Sequence, residues 1–237
     1  MRLKTAPALA VLAALAPALA ASAEFSATPT LTSDYDFRGI SLSARDPAAQ
    51  LSLDLATDSG FKASVWGSNT DFGAPGVDTE IDVTLGYGRG DDNLSWDTGI
   101  VWYTYPGGHE FNYPEAWLGA SKALTEKLSL SGKAWYSWDY ANSDDSAYYL
   151  ESALEVSLPV WDLGLALHAG YSGGDYWDAV NGDGYFDYSI GLTKSVDRFD
   201  FALRFIDGSD LPDPGTRVNS TESKVVFSVS TTLPWKD

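Results

Sequence analysis

Charged side chains recur at alternate positions in segments whose other positions are apolar, which is the spacing of one face of a β-strand. Seven of them fall in the first four such segments: Asp34, Asp36, Arg38, Asp54, Lys62, Glu80 and Asp82. Because consecutive antiparallel strands are neighbours, we expect these side chains to lie close together on one face. If that face lines a passage, the cluster would filter ions by charge, and acidic rings favour cations.

A second charged set follows later in the chain and consists of Lys133, Glu151, Glu155 and His168. A catalytic triad at His168 would need a serine beside the imidazole and a carboxylate that orients it. In the lipid A deacylase family a serine stands two residues after the histidine, whereas this chain has Gly170 there. We therefore interpret the set as lumenal and predict that the protein is not an enzyme.

One loop partly matches a calcium-binding loop through Asn181, Asp183 and Asp187. Its first ligand position holds Ala179 and its twelfth holds Ile190 instead of glutamate. The alternative is an acidic, solvated loop in which Asn-Gly and Asp-Gly form turns. The sequence predicts no metal site and no cofactor.

The elements that must position these residues are β-strands. Between Glu80 and Tyr87, for example, apolar and polar residues alternate with period two, which indicates a strand with two unlike faces. The same pattern predicts twelve strands, over residues 28–38, 49–57, 60–69, 79–88, 93–104, 113–122, 128–139, 147–158, 163–171, 186–194, 198–206 and 223–232. Most of these reach the roughly 9–11 residues that a tilted strand needs to cross a bilayer.

The connections between the predicted strands alternate strictly between short and long. The connection at residues 57–59 is short, for example, and the next one, at 70–78, is long. A transmembrane barrel has short periplasmic turns and longer extracellular loops, so it shows this alternation. A β-sandwich has no reason to show it. We predict an all-β fold, a closed antiparallel transmembrane β-barrel of about twelve strands.

Closing the sheet pairs every strand edge, so all backbone groups can be satisfied inside a membrane. The apolar faces would then contact lipid, and the polar faces would line a wet or partly plugged interior. The alternative is that the charges on the inner face have a structural role. They would then form an interior salt-bridge network that fills and stiffens a narrow barrel.

The first residues are typical of a secretory signal peptide. Arg2 and Lys4 precede an apolar run from Ala6 to Ala20, and Ala21-Ser22-Ala23 offers small residues for cleavage after Ala23. We expect residues 1–23 to be removed and residues 24–237 to form the barrel. The mature chain would carry 13 basic and 33 acidic residues, a net charge of −20. Such a charge repels nucleic acid, so we exclude nucleic-acid binding.

The sequence also resembles the TorF family of porin-like proteins. The resemblance is dense in the first half, at Ser33-Asp34-Tyr35-Asp36-Phe37-Arg38-Gly39-Ile40-Ser41, Pro47, Gln50, Gly60-Phe61, Trp66-Gly67-Ser68-Asn69, Glu80 and Asp82, and continues at Tyr105-Pro106 and Glu115. It implies an outer-membrane barrel with a channel function and does not name a transported solute.

These observations predict an outer-membrane porin that passes ions or small hydrophilic solutes and prefers cations. The alternative is a closed, non-conducting barrel with a structural or surface-binding role. Expected partners are outer-membrane lipid and lipopolysaccharide, which acidic external loops could reach through bridging divalent cations. The sequence leaves the oligomeric state open.

Overall fold

Twelve strands form one closed antiparallel barrel in the computed structural model, which describes residues 23–71, 73–212 and 214–235. In chain order the strands are β1 (Ala23–Thr32), β2 (Asp36–Phe37), β3 (Ile40–Ser41), β4 (Ala48–Thr57), β5 (Phe61–Asn69), β6 (Thr79–Gly90), β7 (Leu94–Thr104), β8 (Tyr113–Thr125), β9 (Leu128–Ser137), β10 (Ala147–Ser157), β11 (Gly164–Gly173), β12 (Tyr185–Val196), β13 (Phe199–Ser209) and β14 (Lys224–Ser230). All except β2 and β3 belong to the wall.

Each wall strand pairs with its neighbour along the chain, and β1 pairs with β14 to close the barrel, with Thr30 opposite Ser230. One end of the barrel carries the short turns, such as residues 58–60 between β4 and β5, and the other carries the long loops. We call these the short-turn end and the long-loop end. The predicted fold class is confirmed, and eleven of the twelve predicted strands match wall strands to within three residues.

The first predicted strand, residues 28–38, is wrong in its placement. The wall strand β1 covers Ala23–Thr32, and the chain then leaves the wall. The carboxylate of Asp34 accepts hydrogen bonds from the hydroxyls of Ser41 (2.6 Å) and Ser43 (3.0 Å). These local bonds fold the segment back on itself. Residues 33–38 therefore form no wall strand, although their sequence alternates with period two.

The long-loop end also holds the little helical structure that the described residues contain. One helix, α1, spans Asp175–Asn181, and single 3-10 turns cover His109–Phe111 and Tyr140–Asn142. Within the described ranges, no helix combines the length and the apolar composition needed to cross a membrane. The predicted signal peptide lies outside the described residues except for Ala23, which opens β1.

The outer face of the wall is apolar and exposed around the whole barrel. Leu31 on β1 and Val225 on β14 are each 62% exposed, and Ile190 on β12 is 50% exposed. Apolar side chains on alternate positions of successive strands form one continuous band, which is far larger than the apolar patches of soluble monomers. This is the surface that a membrane barrel presents to lipid.

Candidate functional site

The segment that leaves the wall after β1 folds into the barrel, and we call residues 33–47 the plug. Its strands β2 and β3 form a hairpin whose two turn residues, Arg38 and Gly39, have positive φ angles of 53° and 85°. Two-residue hairpins favour this backbone, and glycine adopts it without strain. A Cβ on Gly39 would also lie 3.0 Å from the Cβ of Asp187 on β12, so the hairpin tip reaches the far wall.

Arg38 anchors the plug to the wall through Glu115 on β8. Its two terminal nitrogens donate to the two carboxylate oxygens at 2.9 and 2.7 Å, and the side chains are 8% and 0% exposed. The Tyr103 hydroxyl also donates to Glu115 at 3.0 Å. The guanidinium lies 4.3 Å from the ring centre of Tyr149 and 4.6 Å from that of Phe37. Burial alone disfavours the charge, but the Glu115 carboxylate outweighs it and raises the pKa of Arg38 above its ordinary value.

Lys224, at the start of β14, forms the second anchor of the plug. Its ammonium nitrogen lies 2.8 Å from the carboxylate of Asp36 and 3.7 Å from that of Asp34, and it donates to the Gly39 carbonyl at 3.2 Å. Lys224 is only 5% exposed. Two of the predicted selectivity residues therefore serve in a buried salt-bridge network, which is the structural role that we left open as the alternative.

Glu80 and Asp82, the next predicted pair, lie side by side on the inner face of β6 and are buried, with 1% and 8% exposure. The Tyr105 hydroxyl donates to Glu80 at 3.2 Å. The structure brings these two residues into the same half of the barrel as the plug, beside Tyr35 and the loops. Because both are buried, their carboxylates lie among packed side chains.

The remaining predicted selectivity residues, Asp54 on β4 and Lys62 on β5, lie nearer the short-turn end. Asp54 pairs across the strands with Ser64, and Lys62 pairs with Ala56 and Gly86, which places both on the inward face. Asp54 is half-buried and Lys62 is exposed. This half of the barrel keeps its inner wall accessible, so these are the predicted charges that a solute in the lumen could meet.

Three members of the second predicted set, Glu151, Glu155 and His168, line a cavity of about 380 Å³ below the plug. His168 lies 3.2 Å from Glu151 and 3.5 Å from Asp187, and Glu151 also accepts a hydrogen bond from the Trp135 indole at 2.8 Å. Glu155 lines the same cavity and is exposed. Every ring nitrogen of His168 thus faces a carboxylate, and the residue that follows it on the same face is Gly170, not a serine.

Lys133 belongs to a neighbouring group on the wall. Its ammonium lies 3.4 Å from Asp97 and 4.9 Å from the ring centre of Trp135. Asp97 also accepts a hydrogen bond from the indole of Trp117. The four members of the predicted set are therefore on adjacent strands, β9 to β11, and all face the lumen, as their parity predicts.

Of the wet or partly plugged interior that the sequence predicts, the structure shows the plugged form at the long-loop end. Inward side chains of the wall pack with the loops into one buried cluster, the aromatic core, which consists of Val77, Val101, Tyr103, Tyr105, Tyr113, Tyr140, Ala147, Trp177 and Tyr185. Burial raises the pKa of Tyr140 above its ordinary value, so this phenol stays neutral. Apolar packing thus closes much of this end.

The weak calcium-loop candidate is not assembled. Asp187 lies inside the barrel, where it accepts a hydrogen bond from the Tyr149 hydroxyl at 3.0 Å. Asn181 instead donates to the Asp210 carbonyl at 2.7 Å, and Asp183 caps the Gly184 amide at 2.7 Å. Among the residues that the structure describes, no three His, Cys, Asp or Glu side chains converge on a metal site.

Sequence reasoning did not assign a lumenal role to Asp97, Glu115 or Lys224, which form ion pairs inside the barrel, and it placed Asp187 in a loop. Glu115 stood on the inward parity of its predicted strand, so the same alternation could have identified it. Lys224 could not be found in this way, because it shares its face with Val226, and the segment Val225-Val226-Phe227 has no polar alternation.

Comparison with known proteins gives one family match by sequence and several matches by fold. Residues 17–233 match the Gcw_chp family, described as bacterial proteins of unknown function. No curated protein matches the chain by sequence. The predicted TorF assignment, which is finer than this match, stays a prediction.

The solved structures with a similar fold include porins and channels. The KdgM porin, solved in complex with disordered oligogalacturonate, is 11% identical with a TM-score of 0.57, over 90% of this chain and 99% of that one. The NanC porin is 12% identical with a TM-score of 0.56, over 88% and 98%. The COG4313 outer membrane channel from Pseudomonas putida F1 is 11% identical with a TM-score of 0.52, over 89% and 94%. At these identities the likeness concerns the fold.

Proposed function

The chain belongs to the Gcw_chp family of bacterial proteins, and we propose that it is a porin-like channel of the outer membrane for ions or small hydrophilic solutes. The observation that carries this proposal is a closed barrel whose outer face is apolar and whose inner face bears charges around a cavity below the plug. An apolar exterior suits lipid, and a charged interior is stable only in contact with water or with opposite charges. Export through the predicted signal peptide would bring the chain to that membrane.

We further propose that the channel prefers cations, because acids outnumber bases on the inner face of the described wall. Strand parity assigns ten acidic side chains to it, Glu24, Asp54, Glu80, Asp82, Asp97, Glu115, Glu151, Glu155, Asp187 and Asp200, against four basic ones, Lys62, Lys133, Arg204 and Lys224. Three cations already face carboxylates: Arg38 in the plug, and Lys133 and Lys224 on the wall. Without the buried members Glu80, Asp82, Glu115, Asp187 and Lys224, six acids still stand against three bases, so a passing anion would meet net negative charge.

Planar-bilayer recording of the purified, folded barrel tests both statements. A salt gradient across the bilayer should give a reversal potential of the sign set by cation flow. A reversal potential of the opposite sign would contradict cation preference alone. Absence of any current from folded protein would contradict the channel itself.

A second candidate function is a closed barrel with a structural or surface-binding role. The aromatic core favours it, because nine buried residues pack together and narrow the long-loop end above the cavity. The same recording separates the two candidates, since a closed barrel inserts into the bilayer and passes no current. In either case the acidic external loops would reach lipopolysaccharide phosphates only through bridging divalent cations.

A further inference from the structure

A second cavity, of about 420 Å³, lies above the plug and opens among the long loops. We call it the aromatic cavity, and six of the aromatic residues that line it are Phe37, Tyr105, Tyr113, Tyr140, Tyr176 and Trp177. Cavities of roughly 300–1,000 Å³ are the size that holds small-molecule ligands. None of the described residues that line it carries a charge. The cavity therefore offers a ligand mainly the faces and edges of rings.

The rings of this group are tilted against one another and do not stack flat. Tyr176 and Trp177 stand at 88° to each other with their centres 5.0 Å apart. The Tyr140 ring lies 4.7 Å from Tyr113, 4.8 Å from Tyr176 and 5.7 Å from Trp177. Aromatic faces arranged around one space form the cages that hold quaternary ammonium groups, because each face is electronegative.

Two of the loops around the aromatic cavity are acidic, whereas the plug brings the Arg38 guanidinium to the side of Phe37. The two loops that supply Tyr140, Tyr176 and Trp177 cover residues 139–146 and 174–184, and together they contain six aspartates and no lysine or arginine. Beneath the cavity, the Tyr105 hydroxyl donates to the buried Glu80 carboxylate at 3.2 Å. A phenol that donates to a carboxylate becomes more electron-rich, which strengthens its attraction for a cation.

We propose that the aromatic cavity binds a small organic ammonium cation. Its uncharged ring lining and its acidic loops both favour a ligand that is apolar in shape and positive in charge. Phe37 lines this cavity and also the one below the plug. The cavity would therefore be the first binding site of a transported cation, a role that rests on the proposed channel function, whereas the binding itself requires only the folded barrel.

Isothermal titration calorimetry of the full chain, folded in maltoside micelles that carry no ammonium group, tests the proposal. The two probes are choline chloride and 3,3-dimethylbutan-1-ol, which has the same shape without the charge. We expect choline to bind about tenfold more tightly than the alcohol. Equal affinities would show an apolar site with no preference for cations, and the absence of choline binding would remove the ligand site; either result overturns the proposal.

Variants locate the site. Replacing Tyr140 with leucine should weaken choline binding by about tenfold, whereas Tyr140→Phe keeps the ring and should stay within about twofold of wild type. Should Tyr140→Leu fail to fold, Tyr176→Leu changes a half-buried ring of the same group with the same expected loss. The matched control is Tyr136→Leu, which removes a ring from the lipid-facing side of β9. Undiminished binding in Tyr176→Leu, or an equal loss in Tyr136→Leu, would overturn the assignment.

The calorimetric result is independent of conductance. A folded barrel that binds choline and passes no current would support the site and remove the channel function. A barrel that conducts and binds no choline would support the channel function and remove the binding site.

Discussion

Arg38 and Glu115 are 77 positions apart in the chain, yet their side chains form a buried two-pronged ion pair at 2.9 and 2.7 Å. One partner lies at the tip of the plug and the other on the wall strand β8. The planar guanidinium donates two parallel hydrogen bonds to the two carboxylate oxygens, so the pair holds the two side chains in one relative orientation. The pair thus determines where the plug lies inside the barrel.

Replacing Glu115 with glutamine is expected to release the plug. The variant leaves the Arg38 charge buried without its carboxylate, and breaking a buried pair in this way costs about 3–5 kcal/mol. If the plug obstructs the lumen, its departure should raise single-channel conductance severalfold in planar bilayers. An unchanged conductance in folded E115Q protein would show that the plug does not limit the current.

The control for that experiment is Glu222→Gln. Glu222 pairs with Arg45, the other arginine of the plug, at 2.6 Å, but its side chain is 80% exposed. Exposed pairs contribute about 0–1 kcal/mol, so E222Q should conduct like wild type.

Replacing Lys224 with methionine should make the plug accessible to protease. The variant removes the cation that faces both Asp34 and Asp36, which leaves two buried carboxylates near each other. We expect trypsin to cut after Arg38 or Arg45 at least about tenfold faster, because cleavage follows the population of the opened segment. The Lys62→Met variant removes an exposed lumenal lysine and should be cut like wild type. Equal cleavage of both variants would contradict an anchoring role for Lys224.

Neutralising the accessible acids of the short-turn half should weaken cation preference. In a double variant, Asp54→Asn with Glu155→Gln, the cation-to-anion permeability ratio is expected to fall by about two- to fivefold, since a unit charge a few ångströms away is worth about 1 kcal/mol in water. Reversal potentials in a salt gradient measure the ratio. The Glu126→Gln variant, in the turn between β8 and β9, is the control. A ratio unchanged in the double variant would show that selectivity is determined elsewhere.

A side chain at Gly99 should destabilise the barrel. A Cβ there would overlap Cη2 of Trp117 and the carbonyl oxygen of Leu85, and the Trp117 indole is fixed by its hydrogen bond to Asp97. Overpacking of this kind costs about 1–3 kcal/mol. At Gly132 the nearest atom to an added Cβ is 3.5 Å away, so Gly132→Ala serves as the matched control.

The temperature at which the folded barrel converts to the unfolded form on a denaturing gel reports this difference. Gly99→Ala should convert at a clearly lower temperature than wild type, and Gly132→Ala at nearly the same one. Equal conversion temperatures for the two variants would mean that Trp117 moves aside without cost.

Much of the wall could be predicted from the sequence because strand faces follow local alternation. In β6, Ile81, Val83 and Leu85 face outward while Glu80 and Asp82 face inward, as the pattern indicates. The strict alternation of short and long connections then determined the closed antiparallel order. These features depend on residues that are close together in the chain, so the sequence shows them directly.

The plug could not be predicted in this way. Asp34, Asp36 and Arg38 alternate like a wall strand, but the hydroxyls of Ser41 and Ser43 donate to Asp34 and fold the segment back on itself. Their partners Glu115 and Lys224 lie far along the chain. Which charges meet water and which meet each other depends on how far a loop reaches into the barrel.

The sequence by itself thus determined the barrel, its two faces and the positions of most wall strands, because backbone pairing and period-two burial act locally. The tertiary structure alone decided that one half of the interior is filled by the plug and aromatic rings while the other keeps accessible charges. The physical reason is that burial of Arg38 and Lys224 requires carboxylates at a matching distance across the lumen. Such a distance exists only once the sheet has closed.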